Sequence, residues 1–176
     1  MVVLGIDPGT ANTGFGVVAR RGARLVALDG GVIGTSAAVA PELRLARIHA
    51  EIAALLAEHR PAALAVEGLY FGANVRTAFA VGQARGVALL AAGQAGVPCH
   101  SYTPQQVKSG VCGSGRAGKE QVQSMVQRLL ALAEPPAPDH AADALAVAIC
   151  HHNAAPFQAA VARGSARPAA LAESVT

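Results

Sequence analysis

Two short apolar runs in this chain stop on a carboxylate. Val2-Val-Leu-Gly-Ile-Asp7 and Ala62-Ala-Leu-Ala-Val-Glu67 read as buried strands, because brief runs of aliphatics bounded by turn residues suit the interior of a sheet. A buried strand that ends in an acid delivers that acid to a sheet edge. The segments around the two strands narrow the fold. Pro8-Gly9-Thr10 is a turn, and Gly14-Phe-Gly-Val-Val-Ala19 beyond it predicts a hairpin partner. Arg24–Ile33 predicts a third strand. Pro41–His59 repeats Leu45, Ile48, Ile52 and Leu55/Leu56 at helical spacing, with proline near its start.

Further along, Val75–Gly96 predicts a long helix of small residues and Val97–Tyr102 a short fifth strand. Thr103-Pro104 supplies an N-cap and a proline at the first helical position. Gly110–Gly118 reads as a flexible glycine-rich loop, and Lys119–Leu132 as a helix with Val122, Met125, Val126, Leu129 and Leu130 on one face. After the break at Glu134-Pro-Pro-Ala-Pro138, Asp139 is expected to cap a last helix from His140 to about His152. Residues 154–176 lack periodicity and read as a disordered tail, leaving 1–153 as one domain. The order describes an α/β domain: three antiparallel strands, then parallel strands joined through helices, in a mixed five-stranded sheet.

Composition limits what can fill such a domain. Hydrophobic residues reach 52% and charged residues only 14%, which excludes disorder over most of the chain. Alanine occupies 41 positions while aromatics make up 3% and tryptophan is absent, so the core must be small aliphatics with close backbone approach. Cys99, Cys112 and Cys150 form no C-x-x-C pair, which argues against a disulfide framework or a zinc site. No basic and apolar leader opens the chain, and the longest apolar stretch, Gly86–Val97, is too short to span a bilayer. The expectation is a soluble cytoplasmic protein with no membrane partner.

The acids are few and suggestively placed. Three of only four aspartates are Asp7, Asp139 and Asp143. His140 and Asp143 lie at i and i+3 and share a helix face; Asp139 and Asp143 lie at i and i+4. Carboxylates drawn together repel one another unless a cation intervenes, and hard oxygen ligands in that number suit Mg²⁺ or Mn²⁺. Two such ions are the standard apparatus for hydrolysing a phosphodiester. Taken singly, each of these acids is as readily a turn or cap residue.

Six motifs in order carry a family likeness: Gly5-Ile-Asp-Pro-Gly-Thr10 with Gly14-Phe-Gly16, Val66-Glu67, Gly82-Gln-Ala-Arg-Gly-Val87, Gln106-Val-Lys108, Lys119-x-x-Val122 and Ala141-Ala-Asp-Ala-Leu-Ala146. From residue 3 to about 152 the chain resembles the RuvC family of bacterial Holliday-junction resolvases. The resemblance implies an RNase H-like fold, a homodimer, and paired symmetric nicks across a four-way DNA junction, dependent on two divalent ions per site. It implies cooperation with a branch-migration helicase complex. Asp7 and Glu67 match the family's first two catalytic carboxylates and Asp143 the last. The remaining position, three residues before Asp143, is Asp in many members and His140 here. His140 is the favoured ligand, since imidazole binds metal well; Asp139, one position early, is the rival. One imidazole among the ligands leads to the expectation that Mn²⁺ supports activity equal to or above that with Mg²⁺.

By the same resemblance, Lys108 and Lys119 lie near the scissile phosphate, and Lys119 is a candidate for stabilising charge there. Tyr70 occupies a family aromatic position; it and Phe71 are candidates to stack an unpaired base. Asn74, Arg76 and Arg116 are candidates for the DNA backbone, with Arg85 divided between that role and a dimer interface. The helix Val75–Gly96 is the candidate interface between copies.

Three rivals stand beside this reading. Gly113-Ser-Gly-Arg-Ala-Gly118-Lys119 nearly spells a P-loop, but Glu120 replaces the hydroxyl residue that such a loop needs. Asp7-Pro-Gly-Thr10 is similar to the first phosphate loop of actin-like ATPases and sugar kinases, which need a second lobe. The third is a junction-binding module without catalysis. His151-His152 suggests a metal pair, but two histidines closing a helix also suit its dipole. Net charge is +3; setting aside Asp7, Glu67, Asp139 and Asp143 leaves seven acids against fourteen Lys and Arg, a basic face around an acidic pocket.

Overall fold

The computed structural model describes residues 1–68 and 75–165, apart from the side chains of 75–77 and 156–165. Strands β1 (Val2–Asp7), β2 (Asn12–Arg21) and β3 (Arg24–Gly34) form an antiparallel meander. Helix α1 (Pro41–His59) then leads to β4 (Ala63–Glu67), α2 (Val75–Gln94) to β5 (Cys99–Tyr102), and α3 (Pro104–Cys112), α4 (Lys119–Leu130) and α5 (Asp139–Ser165) complete the chain. The sheet order is β3-β2-β1-β4-β5. β1 pairs antiparallel with β2 and parallel with β4, and β4 pairs parallel with β5. This is the expected mixed five-stranded sheet.

Alternation along the strands builds one core on each face. On one side, Leu4, Ile6, Val17, Leu64 and Val66 pack with Ile48, Ile52 and Leu56 of α1 and with the α2 alanines Ala88, Ala91 and Ala92. On the other, Val3, Val18, Ala65 and Tyr102 meet Val107, Val122, Val126 and the α5 run Leu145–Cys150. The close approach expected of so alanine-rich a chain is real. Gly5 and Gly16 face each other across β1 and β2. A Cβ at Gly5 would collide with the Ala144 carbonyl of α5, one at Gly14 with the His140 carbonyl, and one at Gly16 would come within 2.8 Å of Leu145. Three glycines thus form a trough in the sheet in which α5 lies.

The predicted starts of α1 and α3 hold: Pro41 opens α1, and Thr103 closes a capping box with Gln106. A helix, not a strand, leads into Gly113–Lys119, so the context of a P-loop is missing. Three details differ. The loop expected from Gly110 begins later, because α3 runs to Cys112 with Gly110 packed against Cys150. Asp139 is the first residue of α5 and does not cap it; the Pro138 carbonyl receives the first amides. Finally, α5 continues to Ser165, so the tail expected to be disordered from residue 154 begins as helix. His151 and His152 therefore do not close the helix. Both are buried within it.

Candidate active site

The carboxyl-terminal edge of the sheet collects the acids. Asp7 ends β1 and Glu67 ends β4, and the parallel register, with Ile6 opposite Val66, sets them side by side. Asp7 is also the register partner of Gly14 on β2. Because Gly14 has no side chain, the His140 backbone rests against it, and the His140 ring arrives beside Asp7: its Nδ1–H donates to Asp7 Oδ2 at 2.7 Å. Asp143 follows one turn along α5. With Glu67 it lines a cleft of about 230 Å³ shared with Pro104, Val107, Lys108, Lys119, Val122, Ala146 and Val147.

The cost of gathering acids is visible in their proton affinities. Burial raises Asp7 above the ordinary carboxylate value, opposed by the hydrogen bond and charge of His140 and by the charge of Lys119. Burial, then the charges of Asp7 and Asp143, lifts Glu67 to about 7, with Lys108 pulling the other way. Asp143 is raised by burial and then by Asp7. Glu67 feels the charges of Asp7 and Asp143, and Asp143 feels that of Asp7, which is the electrostatic demand that a cation would relieve. Among the described residues, no group of three His, Cys, Asp or Glu side chains stands arranged to hold a metal ion. Glu67 and Asp143 border the open cleft, whereas Asp7 is turned to His140.

Asp139 is placed differently from its neighbours. Its Oδ2 accepts from Lys119 Nζ at 2.7 Å, and its Oδ1 accepts from Gln123 Nε2 at 3.0 Å. Both partners act on its charge: Lys119 first, then Gln123, hold the Asp139 carboxyl below its ordinary value. The same hydrogen bond raises Lys119.

The structure therefore brings together Asp7, Glu67, His140, Asp143, Lys108 and Lys119. Arg116 is exposed in the loop before α4. Arg85 donates to Ser101 Oγ at 2.7 Å, binding α2 to β5. Tyr70, Phe71 and Asn74, and the Arg76 side chain, lie outside the described residues. Sequence reasoning missed Gln123, although its spacing of four from Lys119 places both on one helix face. It also missed a strut beneath the turn after Asp7. Arg44 Nε donates to Thr35 Oγ1 at 2.8 Å, and the Thr35 hydroxyl donates to the Thr10 carbonyl. No local pattern marks that contact, because it joins three separate elements.

Comparison with known proteins agrees with this architecture. The family model described as crossover junction endodeoxyribonuclease RuvC matches residues 3–151. A crossover junction endodeoxyribonuclease RuvC from Pelotomaculum thermopropionicum is 54% identical over 151 residues, covering 86% of this chain and 92% of that protein. One from Heliobacterium modesticaldum is 55% identical over 150 residues, covering 85% and 93%. The Thermus thermophilus RuvC solved in complex with a Holliday junction substrate superposes with a TM-score of 0.86 at 45% identity, over 90% of this chain and 96% of that one.

Proposed function

The chain belongs to the RuvC family of crossover junction endodeoxyribonucleases, and from that premise we propose that it resolves four-way DNA junctions with a site built on Asp7, Glu67, His140, Asp143 and Lys119. It is an endodeoxyribonuclease of RNase H-like fold, and the junction is its substrate. The observation that carries the site assignment is the approach of Asp7 and Asp143 to Glu67, whose proton affinity both raise, with His140 bonded to Asp7 and with Lys108 and Lys119 on the cleft that Glu67 and Asp143 line.

The donor set fits divalent cations. Oxygen ligands dominate it, and burial, then the charges of Asp7 and Asp143, hold the Glu67 proton up to about 7, a load that a cation there would lift. Asp7, Glu67, His140 and Asp143 would hold two Mg²⁺ or Mn²⁺ ions. His140 takes the fourth place because its ring faces Asp7, whereas the Asp139 carboxylate is committed to Lys119 and Gln123. Such ions supply positive charge to the phosphate oxygens and lower the pKa of the attacking water. The protein's own groups do the rest. Lys119 presents its ammonium to the scissile phosphate, where charge grows as the bond to the leaving oxygen breaks. Lys108, on the same cleft wall, faces the strand next to Glu67. Arg76, Arg116 and Asn74 engage the backbone, and Tyr70 and Phe71 stack an unpaired base at the junction centre.

Paired cuts require two sites. On α2, Phe79 and Leu90 are 69% and 55% exposed, and their spacing of eleven sets them on one stripe. That stripe supports a homodimer through α2. A branch-migration helicase complex is the proposed further partner. Among the described residues no helix is long and apolar enough to cross a membrane.

A synthetic four-way junction tests the proposal. Wild-type protein should introduce two symmetric nicks with Mg²⁺ and at least as fast with Mn²⁺, and none with chelator. Asp7→Asn should bind the junction but cut it at least about 100-fold more slowly, a loss at or beyond the top of the range for removing a mere supporting partner of a metal ligand. Binding without cutting in either metal would instead favour a non-catalytic junction-binding module.

A further inference from the structure

Asp139 stands next to the metal-holding set without joining it, and two side chains from α4 converge on it. Lys119 and Gln123, one turn apart, each take one oxygen of its carboxylate, at 2.7 and 3.0 Å. An exposed ion pair between two mobile side chains is normally weak, and these two are 55% and 63% exposed. Here the geometry is more constrained than exposure suggests. The carboxylate is anchored on its second oxygen by Gln123. It belongs to the first residue of α5, whose next turn presents His140 and Asp143, and α5 is set into the glycine trough of β1 and β2. Lys119 itself begins α4 behind Gly118, which offers no side chain to steer it. Without Asp139, four rotatable bonds would let the ammonium sweep along the cleft rim.

We propose that Asp139 is a positioning residue: with Gln123 behind it, it ties the Lys119 ammonium to the helix that carries His140 and Asp143, so that the cation and the metal-holding groups share one frame. An ammonium has three N–H donors. One is spent on Asp139, and two remain for a phosphate oxygen. Lys119 is thereby aimed at the phosphate while still bonded to Asp139. The inference rests on the reading of Lys119 as the phosphate-facing cation.

The test is a double-mutant cycle of Asp139→Asn and Lys119→Ala, read by single-turnover cleavage of a four-way junction, junction affinity and the metal concentration giving half-maximal rate. Asp139→Asn should slow cleavage about three- to fivefold, the range of a constrained surface ion pair. Affinity should hold or rise, since an acid near a polyanion has gone. The half-maximal metal concentration should not move. In the Lys119→Ala background the same change should alter the rate by less than about 1.5-fold, because its effect runs through Lys119. Both side chains are exposed, so melting temperatures report whether folding is intact. Wild-type cleavage by Asp139→Asn, an equal slowing with and without Lys119, or a raised metal requirement would each overturn the proposal. If Lys119→Ala cleaves at the full rate, the reading of Lys119 falls and this inference with it. If Lys119→Ala is slow and Asp139→Asn is not, only the positioning role falls.

Discussion

Glu67 carries the heaviest electrostatic load in the site. Its carboxyl is raised from the ordinary value to about 7, first by burial and then by Asp7 and Asp143. A raised acid binds its proton more readily folded than unfolded, so its contribution is present at low pH and lost as pH rises through about 7. Metal-free protein should therefore melt at progressively lower temperature between about pH 4.5 and 8 in this one respect. Glu67→Gln should flatten that dependence and melt higher than wild type at pH 8, read by thermal denaturation in chelator; a lower melting temperature at pH 8 would contradict the burden assigned to Glu67. At this scale the sequence was informative. Asp7 and Glu67 were marked by the apolar runs they end, and His140 by its spacing from Asp143. The orientation of Asp139 was not legible, because it depends on Gln123 and Lys119 of another helix.

Among the elements, α5 does the most. It forms the spine of one core and carries His140 and Asp143 at its head. Its seating depends on side chains that are missing: Gly5, Gly14 and Gly16 leave the space its backbone fills. Gly5→Ala would place a methyl against the Ala144 carbonyl. Neither the helix nor a paired strand can yield easily, so the expected loss is about 3 kcal/mol, the upper range for overpacking. Chemical denaturation measures it, and a loss below about 1 kcal/mol would show that α5 rides more loosely than described. Helix starts were legible because caps and prolines are local, as at Pro41 and Thr103. The end of α5 was not. Residues 154–176, with little periodicity, read as a disordered tail, yet the helix runs on into them as far as Ser165.

For the whole molecule, burial inside the longer α5 changes what two histidines mean. His151 is pushed down to about 4 by burial, then by the neighbouring His100 and His152, and its Nδ1 meets the Tyr102 hydroxyl at 2.7 Å. His152 is lowered as well, chiefly by burial, with its Nε2–H donating to the Val18 carbonyl. The unfolded chain takes up protons near 6.5 while the folded His151 resists until about 4. Stability must then fall as pH drops through that window, on the order of 3 kcal/mol from His151. This is opposite in direction to the effect of Glu67. His151→Gln, which keeps an acceptor for Tyr102, should make denaturant-measured stability less steep between pH 6.5 and 4; an unchanged slope would remove His151 as its source. The mixed five-stranded sheet, three antiparallel strands and then parallel ones, was legible from pattern. The neutral histidine core was not, since the pair reads as cationic until the helix is known to continue.

Asp7 lies on the first strand of this domain, and His140 and Asp143 lie on its last helix. A ribosome making the chain therefore releases the full set of proposed site residues only after nearly all of the domain has emerged, and the sheet alone carries no more than two of the four. A product that stops short of the last helix would lack two of the four groups proposed to hold metal, so the topology joins the two halves of that site only once synthesis is nearly done.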